Sequence, residues 1–147
     1  MKYNKNDAHC AQIIIEMGRL LVSISKECNS VTCCSMSENN EIYVCSAHNQ
    51  PKECCAIDYS FHTLNLAITV INNQKIFPDR CLNSTPQGSN EIRSIIRRLY
   101  RIFSHFFNMH SEIFDGFEKK YHLYKRFSMI VIKLNLMDEN VMNIPII

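Results

Sequence analysis

The stretch Glu91-Ile-Arg-Ser-Ile-Ile-Arg-Arg-Leu-Tyr-Arg-Ile-Phe-Ser-His constrains the fold more than any other part of the chain. On a helical wheel with Arg97 at zero, Ile92, Ile95, Ile96, Leu99, Tyr100, Ile102, Phe103 and Phe106 occupy about 140° to 300°, and Arg93, Arg97, Arg98, Arg101 and His105 fill the other side. Separation this clean predicts a long helix laid against an apolar core, capped by Ser89 or Asn90. Residues 8 to 28 form a second such stripe. With Ile13 as zero, Ile14, Met17, Leu20, Leu21, Ile24 and Cys28 fall between about 340° and 100°, so the Cys28 thiol is aimed inward as the last residue of the stripe.

Between the two stripes the helical period lapses. Ser, Asn and Thr cluster from Asn29 to Asn49, and Glu41-Ile-Tyr-Val-Cys-Ser alternates, predicting a loop and a small hairpin. Asp58 is placed to cap a helix using Leu64, Ala67, Ile68 and Ile71, and Phe77 to Ser89, with Pro78 and Pro86, reads as a long connection. Two more helices are expected at about 110 to 119 and about 121 to 135, the second burying Leu123, Phe127, Ile130, Val131 and Leu134. The chain has 147 residues, 46% of them apolar, and no linker-like stretch, which is enough for one core. The expected architecture is a single mainly α domain, 1–147, a helical bundle with one small β-hairpin.

A formal net charge of +2 is too small for a chain built wholly around nucleic acid. There is no run of about eighteen apolar residues and no secretory signal at the start, which argues against a membrane span and against signal-directed secretion. Eight cysteines in such a chain are expected to be reduced, as buried thiols or metal ligands. The neighbours Cys33-Cys34 and Cys54-Cys55 make a poor disulfide framework.

Cys28 and Cys33 are separated by four residues, as are His105 and His110, and both gaps suit a structural zinc site. Such a site would tie the end of the first helix to the end of the long one. Five positions along a helix leave two imidazoles about 140° apart, so the helix is expected to break or kink between Phe106 and His110, with Asn108 a tolerable place. Buried free thiols and a core histidine are the plainer account of the same residues, and Cys34 could replace Cys33. The pairs Cys45/His48 and Cys54/Cys55 have no obvious partner pair and read as core or loop residues. A Cys-His nucleophile would need an activating environment and an orienting third group, which spacing does not reveal, and a closed four-ligand zinc leaves no open position for hydrolysis. No catalytic residue is assigned.

From Glu91 to Arg101 there are four Arg against one Glu, a local +3. Arg97, Arg98 and Arg101 lie within about 100° of arc and can converge on one anion. Their planar forks suit phosphate, and a phosphoserine or phosphothreonine offers nearly two charges and three acceptor oxygens. The plain alternative is the solvated face of an amphipathic helix. A basic helix beside zinc also invites nucleic acid, but finger, homeodomain and RNA-recognition signatures are lacking.

Several blocks carry a resemblance. Cys45-Ser-Ala-His-Asn-Gln-Pro-Lys-Glu-Cys-Cys-Ala-Ile-Asp-Tyr-Ser-Phe-His-Thr-Leu, Arg97-Arg-Leu-Tyr-Arg-Ile-Phe-Ser-His, Ile113-Phe-Asp, Arg126-Phe, and Asn135-Leu-Met with Ile144-Pro-Ile are similar to the Mob family, and within it to the phocein branch. The likeness covers about residues 10 to 147. It implies a helical domain with one structural zinc, acting as a non-catalytic adaptor or as a coactivator of protein kinases. By resemblance the zinc ligands fall on Cys28, Cys33, His105 and His110, and the phosphopeptide pocket on Arg97, Arg98 and Arg101. Implied partners are a striatin-like subunit, protein phosphatase 2A and germinal-centre kinases, in the cytoplasm and peripheral to membranes only through partners. The chain begins near the second family helix, so the acidic positions through which kinase-activating relatives bind nuclear Dbf-related kinases fall before or near Met1. The acidic tail of phocein relatives is absent too. These departures favour the adaptor over the kinase coactivator, and a zinc-stabilised nucleic-acid module is the remaining alternative.

Overall fold

The structure is a computed structural model that describes residues 5–38, 40–77 and 86–146. Lys5–Ile24 forms α1, and Ile13, Ile14, Met17, Leu20, Leu21 and Ile24 are all buried, as their spacing requires. The helix stops four residues before Cys28. The Ser25 hydroxyl donates to the Val22 carbonyl at 2.7 Å, a local bond that competes with helix propagation. Cys28 N–H still reaches the Ile24 carbonyl at 2.9 Å, so the thiol is carried inward by a turn rather than by the helix stripe.

The hairpin consists of β1, Met36–Glu38, and β2, Glu41–Tyr43, antiparallel with Met36 opposite Tyr43 and Glu38 opposite Glu41. Asn40 takes a φ of 66° in the turn, a conformation that asparagine tolerates better than most side chains. Helix α2, Ala56–Ile71, starts ahead of the expected Asp58 cap. Its first N–H, that of Ala56, donates to the Cys33 carbonyl at 3.1 Å, which supplies a partner that a capping side chain would otherwise provide. Asp58 falls in the first turn, where its charge opposes the helix dipole favourably.

Helix α3, Pro86–Met109, begins earlier than Ser89 or Asn90, because proline needs no N–H bond in a first turn and has the right φ for it. Of the expected connection from Phe77 to Ser89, residues 78–85 lie outside the described residues and 86–89 are helical. Helices α4, Ser111–Tyr121, and α5, Leu123–Lys133, follow, then a 3-10 turn at Glu139–Val141. The break after α3 falls on His110 (φ −136°, ψ 47°), leaving Asn108 inside the helix.

Helices α3, α4 and α5 meet at Phe103, whose ring lies 5.2 Å from Tyr124, 4.9 Å from Phe127 and 6.4 Å from Phe114. Two polar links brace this core. Buried Glu118 accepts the backbone N–H groups of Tyr124 (2.6 Å) and Lys125 (3.2 Å), capping α5 from α4. Arg126 on α5 forks onto Glu16 on α1 at 2.6 and 2.7 Å. Among the described residues no helix is long and apolar enough to cross a membrane.

Candidate metal centres and the arginine face

The loop after α1 is wound by its own side chains. Asn29 Oδ1 accepts the N–H groups of Val31 (2.9 Å) and Thr32 (3.1 Å), Thr32 Oγ1 accepts from Asn29 N and donates to the Glu27 carbonyl at 2.6 Å, and Cys33 N–H closes onto the Asn29 carbonyl at 3.0 Å. This brings the Cys28 and Cys33 thiols to one side, facing His105 on α3 and His110 at the helix break.

Cys28 Sγ lies 3.7 Å from His105 Nε2, and Cys33 Sγ lies 3.4 Å from His110 Nε2. All four donor atoms are within 4.8 Å of one another, and all four residues are buried. Zinc bond lengths of about 2.3 Å to sulfur and about 2.0–2.1 Å to nitrogen put the sulfur–nitrogen edge of a tetrahedron near ~3.5 Å, so the residues fit such an ion. The electrostatics fit as well. Burial, reinforced by the neighbouring Cys33 thiol, pushes Cys28 up to about 12, so a thiolate here needs a cation beside it. Burial, then His110, pulls His105 down to about 4, which keeps its imidazole in the neutral, ligating form. Behind His110, Glu27 Oε2 stands 3.4 Å from Nδ1, the kind of carboxylate backing that orients a ligating ring.

A second group of the same kind was not expected. Cys45, His48, Cys54 and His62 also bring four donor atoms within 4.8 Å of one another and could hold a metal ion. Cys45 Sγ is 3.6 Å from His62 Nδ1, and Cys54 Sγ is 3.2 Å from His48 Nε2 and 3.8 Å from His62 Nδ1. Cys45 and Cys54 are core residues, as read from the sequence, and Cys55 takes the cap position of α2; what the sequence reading lacked was the partner pair, because His62 comes from inside the helix. The readable signal was Cys45-x2-His48 followed by Cys54-x7-His62 within eighteen residues. His62 carries no mark of its own among helical residues.

Arg97, Arg98 and Arg101 share α3 ahead of His105, Arg101 by about one turn and the other two by about two, with Arg97 exposed and Arg98 half-buried. Arg101 is held from three sides. Its guanidinium sits 3.6 Å above the Tyr43 ring, Nη1 donates to the Tyr59 hydroxyl at 2.7 Å, and Nε is 3.8 Å from Glu38 Oε2. Tyr43, Tyr59 and Glu38 were missed from the sequence because they reach Arg101 from the hairpin and α2.

Comparison with known proteins bears on this arrangement. Residues 6–145 match the Mob1/phocein family. The chain belongs to that family. It is 42% identical over 140 residues to a MOB-like protein phocein of Caenorhabditis elegans, covering 95% of this chain and 62% of the relative. It is 41% identical over 139 residues to a MOB kinase activator-like 4 of Drosophila melanogaster, covering 94% and 62%. A MOB kinase activator-like 2A of Arabidopsis thaliana is 23% identical over 138 residues, covering 89% and 64%. This Mob1/phocein chain thus spans less than two thirds of the length of these relatives. Within it, both Cys/His groups and the Arg101 cradle lie in the matched residues.

Proposed function

We propose that this Mob1/phocein chain is a non-catalytic adaptor, one domain over 1–147, that binds phosphorylated segments within a striatin-type assembly of protein phosphatase 2A and germinal-centre kinases. The observation that carries the reading is the buried Cys28, Cys33, His105 and His110 group at the end of the helix that bears Arg97, Arg98 and Arg101. Zinc bound there would tie the loop after α1 to the end of α3, a structural role with no open coordination position. Arg101, fixed by its tyrosines, supplies a preset positive charge. Arg97 and Arg98 are the forks left to close on a phosphate. Glu38 beside Arg101 selects against anions that do not also engage those two.

The test is affinity purification of the tagged chain with identification of co-purifying proteins, with and without phosphatase treatment of the lysate. Phosphatase-sensitive recovery of a striatin-like subunit, lost in Arg97→Ala/Arg98→Ala, is expected. Recovery unaffected by both would overturn the pocket assignment. A second reading, coactivation of nuclear Dbf-related kinases, is favoured by the kinase-activator names of two relatives; it predicts a lone kinase in the eluate. Affinity for plain DNA or RNA with a steep salt slope would instead mark a nucleic-acid module.

A further inference from the structure

We infer that Cys45, His48, Cys54 and His62 hold a second structural zinc ion, which fixes the segment between the hairpin and α2 and with it the two tyrosines that seat Arg101. The claim is independent of the phosphopeptide reading and of the first centre.

Three observations lead to it. The first is geometric: the sulfur–nitrogen separations of 3.6, 3.2 and 3.8 Å scatter about the ~3.5 Å edge of a tetrahedral zinc site with two thiolates and two imidazoles. Donors of this kind, two soft and two borderline, select zinc over oxygen-loving cations.

The second is how little of the segment 45–54 besides its donor residues turns inward. Ser46, Ala47, Asn49, Gln50, Pro51, Lys52 and Glu53 are all exposed, whereas Cys45 and Cys54 are buried and His48 is half-buried. The side chains that turn inward along 45–54 are therefore the donors themselves. The backbone adds one antiparallel bridge, Cys45 N–H to the Lys52 carbonyl at 2.7 Å and Lys52 N–H to the Cys45 carbonyl at 3.2 Å. Ordering ten residues costs on the order of 10 kcal/mol in backbone entropy, which two hydrogen bonds do not offset. A metal staple does.

The third is charge. Two sulfur and two imidazole nitrogen donors crowd within 4.8 Å of one another, and a dication among them would balance the charge of two thiolates. Binding Zn2+ releases the two thiol protons to solvent, forms two sulfur–zinc and two nitrogen–zinc bonds, and leaves a centre of zero net charge. Nothing is oxidised.

The consequence runs to Arg101. Tyr43 lies two residues before the ligand Cys45, and Tyr59 lies one helical turn before the ligand His62. Clamping Cys45 to His62 therefore fixes the spacing between the ring under the Arg101 guanidinium and the hydroxyl that its Nη1 reaches.

The test is the metal content of the whole chain purified without chelator, by mass spectrometry, for wild type, Cys54→Ser and His48→Ala. Two zinc equivalents are expected in wild type and one in each variant, with the helical circular dichroism retained. Amide exchange over residues 43–59 should accelerate in the variants while that over 105–121 stays unchanged. His48 is half-exposed, so His48→Ala decides the matter if Cys54→Ser does not fold. One equivalent in wild type that both variants retain would overturn the inference. So would a Cys45–Cys54 disulfide found in peptides alkylated before digestion. A single equivalent lost in the variants would instead keep the second site and remove the first.

Discussion

The Arg101 guanidinium donates to the Tyr59 hydroxyl at 2.7 Å, and this bond joins α3 to α2. Tyr59 is buried, so its hydroxyl has no access to water in compensation if Arg101 is lost. Tyr59→Phe should destabilise the chain by about 1–2 kcal/mol, the worth of one charge-assisted bond. Arg101→Lys should cost more, because an ammonium cannot both stack flat on Tyr43 and donate sideways to Tyr59. Urea unfolding of the two variants gives the order, and equal losses would remove the stacking contribution.

The bidentate pair between Glu16 and Arg126 predicts a pH dependence. The Arg126 hydrogen bonds, opposed by burial, hold the Glu16 carboxyl below its ordinary value of 4.5. The folded state therefore binds this proton less readily than the unfolded chain does. The stabilisation is complete above the ordinary carboxylate range and is lost as pH falls through it toward the lowered folded value. Glu16→Gln should lose about 1–2 kcal/mol at pH 7, discounted for the partial exposure of Arg126. The difference from wild type should shrink as urea titrations are moved below pH 4.5, and a constant difference would contradict the pair.

Metal removal should act on the first centre through the whole fold. Without an ion, two buried thiols and two imidazoles are left with weak mutual bonds between the α1 loop and the end of α3. Chelation or Cys28→Ser is expected to lower stability by several kcal/mol, short of the roughly 10 kcal/mol of small zinc-folded peptides because five packed helices remain. A melting curve unchanged by a chelator that does strip the metal would show that the packing alone holds the two segments together.

What was legible in the sequence depended on whether the signal lay within one element. The stripe from Ile92 to Phe106 is periodic, and its burial follows the wheel. The need for a break near His110 came from helix geometry joined to the expectation that both imidazoles meet one ion, and it is met by His110 itself rather than Asn108. Starts of helices were read less well, because α2 is begun by a carbonyl from Cys33 and α3 by a proline. The cradle of Arg101 and the partner of Cys54 were invisible for one reason. Tyr43, Tyr59 and His62 acquire their roles only when the hairpin and α2 are brought together, and no local pattern records that.

The corner between α4 and α5 places two opposite effects a few residues apart. His122 holds a φ of 51° there, a left-handed conformation that costs a β-carbon residue about 1–2 kcal/mol. Glu118 repays the sharp turn by accepting the N–H groups of Tyr124 and Lys125 in the first turn of α5. His122→Gly should relieve the backbone and, after the entropy that glycine adds to the unfolded chain, stabilise by about 0.5–1 kcal/mol. Glu118→Ala leaves the buried Tyr124 N–H without its partner, and the more exposed Lys125 N–H as well, and should cost about 1–3 kcal/mol. Glu118→Gln, which keeps one acceptor oxygen, should fall between. Because Glu118 orders the same backbone that His122 strains, the double variant should depart from the sum of the singles, and a double-mutant cycle by urea unfolding measures that departure. Strict additivity would mean that the carboxylate caps α5 without shaping the turn before it.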